Sequence, residues 1–163
     1  MFAGTMKLIT SAMLDDLANR AGSNPRLRLN YNVHELPSDP IQRLFIAARL
    51  HSYFRPHRHP GKKEFAIVLR GLFDVITFDE AGKVMQKISP GPQAETVGLE
   101  IPADVWHTWV PLEDESVFFE VKPGPYDPAT VVEFASWAPA EGSQDVAAFC
   151  KRLLAVNVGE SVA

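Results

Sequence analysis

The sequence predicts an all-β fold of short strands, a sandwich or barrel, with one helix near each end. Apolar residues make up 46% of the 163 residues and charged residues 22%, which is enough apolar material for the core of one domain. Thirteen prolines and ten glycines interrupt the chain and disfavour long helices in its middle. Short runs with strand-like alternation recur between residues 26 and 122. We therefore divide the single domain into a helical segment 1–24, a barrel 25–125 and a tail with a helix, 126–163.

The first predicted element is an amphipathic helix that begins at Thr10 or Ser11. Either hydroxyl can cap the helix, and Gly22 followed by Asn24-Pro25 ends it. Apolar residues recur at helical spacing on one face: Met13, Leu14, Leu17, Ala18 and Ala21. One face of this helix should pack on the barrel.

From Arg26 onward the period changes to that of strands. The segment 26–34 alternates polar and apolar residues, and 41–50 is mostly apolar with flanking prolines that favour a strand over a helix. Asp79-Glu80-Ala81-Gly82 predicts a hairpin turn. The further predicted strands are 52–59, 64–69, 72–78, 83–88, 96–101, 107–111 and 116–122. Ser143 should cap a last helix from Gln144 to about Val156.

Composition excludes several functional classes. Lys and Arg number 16 against 20 Asp and Glu, a net charge of −4, which argues against a general nucleic-acid binder. No segment approaches the roughly 20 apolar residues of a membrane span, and residues 1–10 lack the pattern of a signal peptide. The single cysteine, Cys150, fits a reducing cytoplasm and is expected to be a small buried apolar residue.

Three histidines and one glutamate form a candidate metal site. His57 and His59 are two residues apart, so a strand would place both on one face. Glu64 follows a Pro-Gly turn, and His107 would come from a later strand. This set of nitrogen and oxygen donors suits one divalent first-row ion, and iron, manganese, nickel, cobalt, copper and zinc all remain open.

The same residues resemble the two cupin motifs. His57-Arg58-His59, Glu64 and Gly71 match HxHx4Ex6G, and the segment 102–107 matches PxGxxH. Three positions differ from the usual pattern: His51 and Asp104 stand where glycine is usual, and Pro111 stands where asparagine is common. The resemblance implies a single cupin double-stranded β-helix, a jelly-roll barrel, whose metal ligands are His57, His59, Glu64 and His107.

A narrower resemblance is to the WbuC family of cupin-fold metalloproteins. It rests on the segments 53–60, 68–71, 118–128 and 134–142. That family is associated with surface-polysaccharide gene clusters and has no settled reaction. By analogy with small cupins, we also predict a homodimer that pairs through the strand 26–34.

Other polar residues have two interpretations each. Strand parity would place Tyr53 and Arg55, our catalytic candidates, on the histidine face, where Arg55 could bind a carboxylate or phosphate; alternatively, Arg55 lies at the barrel rim. The polar face of 26–34 is either a solvated edge or the mouth of the cavity. Glu120 and Lys122 are interpreted as an ordinary ion pair or rim charges. Trp106 and Trp109 are interpreted as core residues, with one aromatic wall of a pocket as the alternative.

These observations leave three functional hypotheses open. The first is a metal-dependent enzyme, an isomerase or epimerase or a dioxygenase, acting on a small anionic or sugar-derived ligand, with a role in surface-polysaccharide metabolism as one setting. The second is a non-catalytic module that binds or senses a small molecule. The third is a structural cupin whose metal only stabilises the barrel. None of the three includes a nucleic-acid or membrane partner.

Overall fold

A computed structural model describes residues 5–163, so the first four residues of the predicted N-terminal segment lie outside it. The elements are, in chain order, α1 (Ser11–Gly22), β1 (Arg28–Asn32), β2 (Ile41–Ala48), β3 (His57–Arg58), β4 (Glu64–Arg70), β5 (Phe73–Phe78), β6 (Val84–Ile88), β7 (Gly98–Ile101), β8 (Trp106–Pro111), β9 (Ser116–Pro123), β10 (Glu133–Phe134) and α2 (Val146–Ala155). The all-β prediction with a helix near each end is confirmed.

Two five-stranded antiparallel sheets face each other. The first sheet has the order β1-β2-β9-β4-β7, and the second has the order β10-β3-β8-β5-β6. Each sheet mixes strands that are distant in sequence, as expected for a jelly roll. The short strand β10 comes from the tail and pairs with β3, an addition to the sheet that the sequence pattern did not predict.

Both helices pack on the outer faces of the sheets. The apolar stripe of α1 covers Phe45, Ala47 and Val117 of the first sheet. On the second sheet, α2 packs Phe149 and Leu153 against Ile76 and Phe78 of β5 and Trp106 of β8. A third apolar cluster, which includes Phe73, Trp109 and Phe118, lies between the sheets. The layers therefore run from α1 through the two sheets to α2.

Some predicted boundaries shift for local reasons. Strand β1 begins at Arg28 instead of Arg26 because Leu27 has a left-handed backbone with φ of 55°. Helix α1 begins as predicted, and the Thr10 hydroxyl accepts a hydrogen bond from the Met13 N–H at 3.2 Å. Helix α2 begins at Val146, and the Ser143 hydroxyl accepts a hydrogen bond from the Asp145 N–H instead of capping a helix from Gln144.

No helix within residues 5–163 has the length and apolar character needed to cross a membrane.

Candidate metal centre

Three histidines converge from the second sheet. His57 of β3 pairs with His107 of β8, and His59 follows two residues after His57. Each ring offers one nitrogen to a group whose ligand atoms all lie within 4.8 Å of one another. The ring centroids are 4.4 Å apart for His57 and His107, and 5.7 Å apart for His59 and His107. A single ion can therefore contact all three rings.

Backbone carbonyls determine which ring nitrogen is free. The Nδ1 atoms of His57, His59 and His107 lie 2.8, 2.6 and 2.9 Å from the carbonyl oxygens of Arg55, Val131 and Val105, respectively. A carbonyl only accepts hydrogen bonds, so each Nδ1 carries the proton and each neutral ring keeps an Nε2 lone pair. Such hydrogen bonds to the second nitrogen are typical of metal-ligating histidines because they orient the ring.

Glu64 reaches the histidines from the first sheet. Its Oε2 lies 2.8 Å from Nε2 of His59, and its Oε1 lies 4.0 Å from Nε2 of His107. Two hydrogen-bond acceptors at 2.8 Å attract one another only when a proton or a cation lies between them. The Nε2 atoms of His59 and His107 are buried and have no hydrogen-bond partner. This donor set fits a divalent first-row metal, and His57, His59 and His107 form its compact part.

Burial favours the neutral forms of His57 and His107. Desolvation lowers the pKa of His57 well below its usual 6.5, and the nearby His107 adds to the shift. Desolvation also lowers the pKa of His107. Burial acts to raise the pKa of Glu64, but the contacts with His59 and Lys122 outweigh it and hold that pKa well below the usual value. Neutral imidazoles and an ionised carboxylate are the protonation states that metal binding requires.

Glu120 of β9 is buried beside this group and the Lys122 side chain is only 12% exposed, whereas the sequence suggested an ordinary ion pair or rim charges. The Lys122 ammonium contacts the Glu120 carboxylate and lies 3.8 Å from Oε2 of Glu64. Burial and the proximity of Glu64 raise the pKa of Glu120. The alternation Phe118, Glu120, Lys122 on the inner face of β9 was the available sequence signal for this burial.

The polar side-chain groups of the two catalytic candidates contact backbone carbonyls of the tail. Residues 53–56 precede β3 and are not in a strand, so strand parity does not extend to them. The Tyr53 hydroxyl donates to the Pro139 carbonyl at 2.9 Å, and its ring packs edge-on against Phe149 of α2. The Arg55 guanidinium donates to the Ala135 carbonyl at 3.2 Å and lies over the Phe134 ring. The backbone carbonyl of Arg55 nevertheless orients His57.

Two departures from the cupin motifs are explained by the backbone. His51 and Asp104 both have left-handed conformations, with φ of 70° and 65°. Glycine is favoured there, and His and Asp are among the residues that tolerate this region best. The Asp104 carboxylate also accepts a hydrogen bond from the Gly61 N–H at 3.0 Å, which ties the two motif loops together. Gly71 cannot be replaced in this way, because a Cβ at that position would lie 2.0 Å from Ser116 Oγ.

Comparisons with known proteins agree with this architecture. A family model described as a domain of unknown function, DUF6016, matches residues 9–89, and no curated protein matches. The DMSP lyase DddQ from Ruegeria pomeroyi has a similar structure, with a TM-score of 0.53 and 15% identity, over 70% of this chain and 54% of that one. Protein SO0799 from Shewanella oneidensis has a TM-score of 0.53 and 9% identity, over 66% of this chain and 73% of that one.

A mutant of oxalate decarboxylase OxdC from Bacillus subtilis is also similar, with a TM-score of 0.52 and 19% identity, over 66% of this chain and 27% of that one. At these identities the likeness shows the fold alone. The WbuC resemblance stays a prediction, because the matching family model describes a domain of unknown function. The two sheets, the terminal helices and the structural relatives together show that this protein has the cupin jelly-roll fold.

Proposed function

We propose that the protein is a cupin metalloprotein that holds one divalent metal through His57, His59, His107 and Glu64. The observation that carries this proposal is the set of three carbonyl-bound Nδ1 atoms, which leaves three convergent Nε2 lone pairs beside a carboxylate. The metal is iron, manganese, nickel, cobalt, copper or zinc, since this donor set serves all of them. When bound, such an ion supplies Lewis-acid chemistry or, if it is iron, dioxygen chemistry.

The ligand in this proposal is small and anionic or sugar-derived, and the protein acts on it as an isomerase, epimerase or dioxygenase. This chain's own residues orient the metal ligands, keep the imidazoles of His57 and His107 neutral and enclose the group between two sheets. Binding or sensing without turnover is the second candidate. It is favoured by two contacts of the catalytic candidates: the Tyr53 hydroxyl donates to the Pro139 carbonyl, and Nη2 of Arg55 donates to the Ala135 carbonyl. Surface-polysaccharide metabolism, a cytoplasmic location and a homodimer remain part of the proposal.

Elemental analysis of protein purified without an affinity tag tests the metal site. We expect one equivalent of a first-row metal in the wild type and none in His59→Ala. The matched control is His51→Asn, which removes an exposed histidine and retains a residue that tolerates its left-handed backbone. Equal metal content in both variants would contradict the assignment. A screen for a copurified small molecule, followed by turnover assays, then separates the enzyme from the binding module.

A further inference from the structure

A cavity of about 480 Å³ opens beside β1 and β2. In the antiparallel register, Asn30 faces Ile46 and Asn32 faces Leu44, so the polar side of β1 and the inner side of β2 line the same space. The lining ranges from apolar Leu44, Ile46 and Phe54 to cationic and amide groups. A volume of this size suits a small molecule. The polar face of β1 is therefore a cavity wall, which was one of the two interpretations of its sequence.

The charged part of this lining is cationic. Arg26, Arg28 and Lys122 line the cavity, and none of the described lining residues is acidic. Arg26 donates to both oxygens of Glu141, at 2.6 and 2.7 Å, and Arg28 donates to the same carboxylate at 2.5 Å. Two guanidinium groups thus share one carboxylate and keep one net positive charge. Arg28 also donates to the Tyr53 carbonyl at 2.6 Å, which holds its guanidinium in place.

The rest of the lining suits hydroxyl groups. Asn30 donates to Asn32 at 2.7 Å, and this single bond leaves the other amide atoms of the pair available. The Gln42 amide nitrogen donates to the Asp39 and Pro37 carbonyls, which leaves the Gln42 amide oxygen available to accept a hydrogen bond. Tyr126 adds an aromatic wall. Amides that donate and accept, together with an aromatic surface, match a ligand with several hydroxyls.

Lys122 joins this cavity to the candidate metal centre. Its side chain lines the cavity, and its ammonium lies 3.8 Å from Glu64. We infer that the cavity binds a small hydroxylated acid, a carboxylate or a phosphate, with the acidic group at Arg26 and Arg28 and the hydroxyls at Asn30 and Asn32. This inference rests on the proposed function only for the ligand's role at the metal, because the cavity itself contains no metal ligand.

Calorimetric titration of the purified full chain tests the inference, with D-glucuronate, glucose 6-phosphate and neutral D-glucose as probes. We expect D-glucose to bind at least about tenfold more weakly than the preferred acid. The two acids distinguish a carboxylate site from a phosphate site. Arg26→Ala should weaken binding of the preferred acid about tenfold and leave D-glucose binding unchanged. The matched control is Arg20→Ala, which removes an exposed arginine of α1 that pairs with Asp16.

A second variant keeps the test independent of the arginines. Asn30→Ala/Asn32→Ala changes two exposed side chains on β1 and should weaken the acid and D-glucose alike, about fivefold. Equal affinities in Arg26→Ala and Arg20→Ala, or no acid binding to the wild type at about 10 mM, would overturn the inference. Titrations before and after chelator treatment separate the two proposals. If the protein binds the acid but never contains metal, the cavity proposal stands and only the metal centre is rejected. If it contains metal but does not bind the acid, the metal centre stands and the cavity proposal is rejected.

Discussion

The two ends of the barrel interior are built from the same strands and have opposite chemistry. At the aromatic end, Trp109 of β8 stacks on Phe118 of β9, with centroids 4.1 Å apart and planes at 6°, and Phe73 meets both rings edge-on. At the histidine end, the same two strands contribute His107 and Glu120, two residues away from those rings. Two residues along each strand therefore separate an aromatic core from a group of ionisable side chains.

This contrast shows how the fold tolerates a costly site. Burying ionisable groups is unfavourable unless they are paired or bind a metal, and the histidine end contains His57, His59, Glu64, His107, Glu120 and Lys122. Burial of apolar rings at the aromatic end stabilises the sheets by about 25 cal/mol for each Å² removed from water. The aromatic end thus maintains the register that brings the histidines together. Four experiments test this division of roles.

Substitution at the aromatic end should have the largest effect on stability. Phe118→Ala removes a fully buried ring between the sheets and should lower the free energy of unfolding by about 3–5 kcal/mol, measured by urea denaturation. The control Phe65→Ala changes a ring that is 42% exposed and should cost only about 1 kcal/mol. Similar losses from the two substitutions would mean that the aromatic end is not the stabilising region.

At the histidine end, removing one member of the buried charge pair should cost slightly less. Lys122→Met leaves the Glu120 carboxylate buried without its partner and should lower the free energy of unfolding of the metal-free protein by about 3 kcal/mol. Adding Glu120→Gln should recover at least half of that loss, because the unpaired charge is then gone. If the double variant were no more stable than Lys122→Met alone, the cost would come from lost packing and not from the buried charge.

Substitution of Glu64 should lower the free energy of metal binding by less than Phe118→Ala lowers the free energy of unfolding. Glu64→Gln replaces the proposed carboxylate ligand with an amide, a poorer donor, and should weaken metal binding about 10–100-fold in a competitive chelator titration. Glu100→Gln is the control, since Glu100 is exposed on β7 and pairs with Lys63. Unchanged affinity in Glu64→Gln would leave the three histidines as the whole protein-derived ligand set.

The smallest expected effect is a pH dependence confined to the histidine end. The pKa values of His57 and His107 are lowered by burial, so the unfolded chain binds more protons than the folded chain once the pH falls below about 6.5. The free energy of unfolding of the metal-free protein should therefore fall as the pH drops from 7 to about 5.5. His107→Ala should flatten this slope, and Phe118→Ala should leave it unchanged. An identical slope in all three proteins would exclude the buried histidines as its source.

Local sequence was sufficient for much of the fold. Helical spacing together with the Thr10 cap predicted α1, and two-residue alternation with turn residues predicted most of the strands. The spacing of His57 and His59 and the match to two cupin motifs selected the three histidines that the structure brings together. The helix and the strands could be predicted because capping, alternation and short spacings depend only on neighbouring residues, whereas His107 was assigned to the site through the cupin resemblance.

The tertiary structure decided which groups face one another. Val131, 72 residues from His59, supplies the carbonyl that orients that ring, and β10 from the tail joins β3. Strand parity was applied to Tyr53 and Arg55, but β3 exists only at residues 57–58, so the direction of these two side chains depends on the preceding loop. Strand periodicity defines the side of a strand on which a residue lies, but not what packs against that side. The position of Lys122 between Glu64 and the cavity came only from the pairing of distant strands.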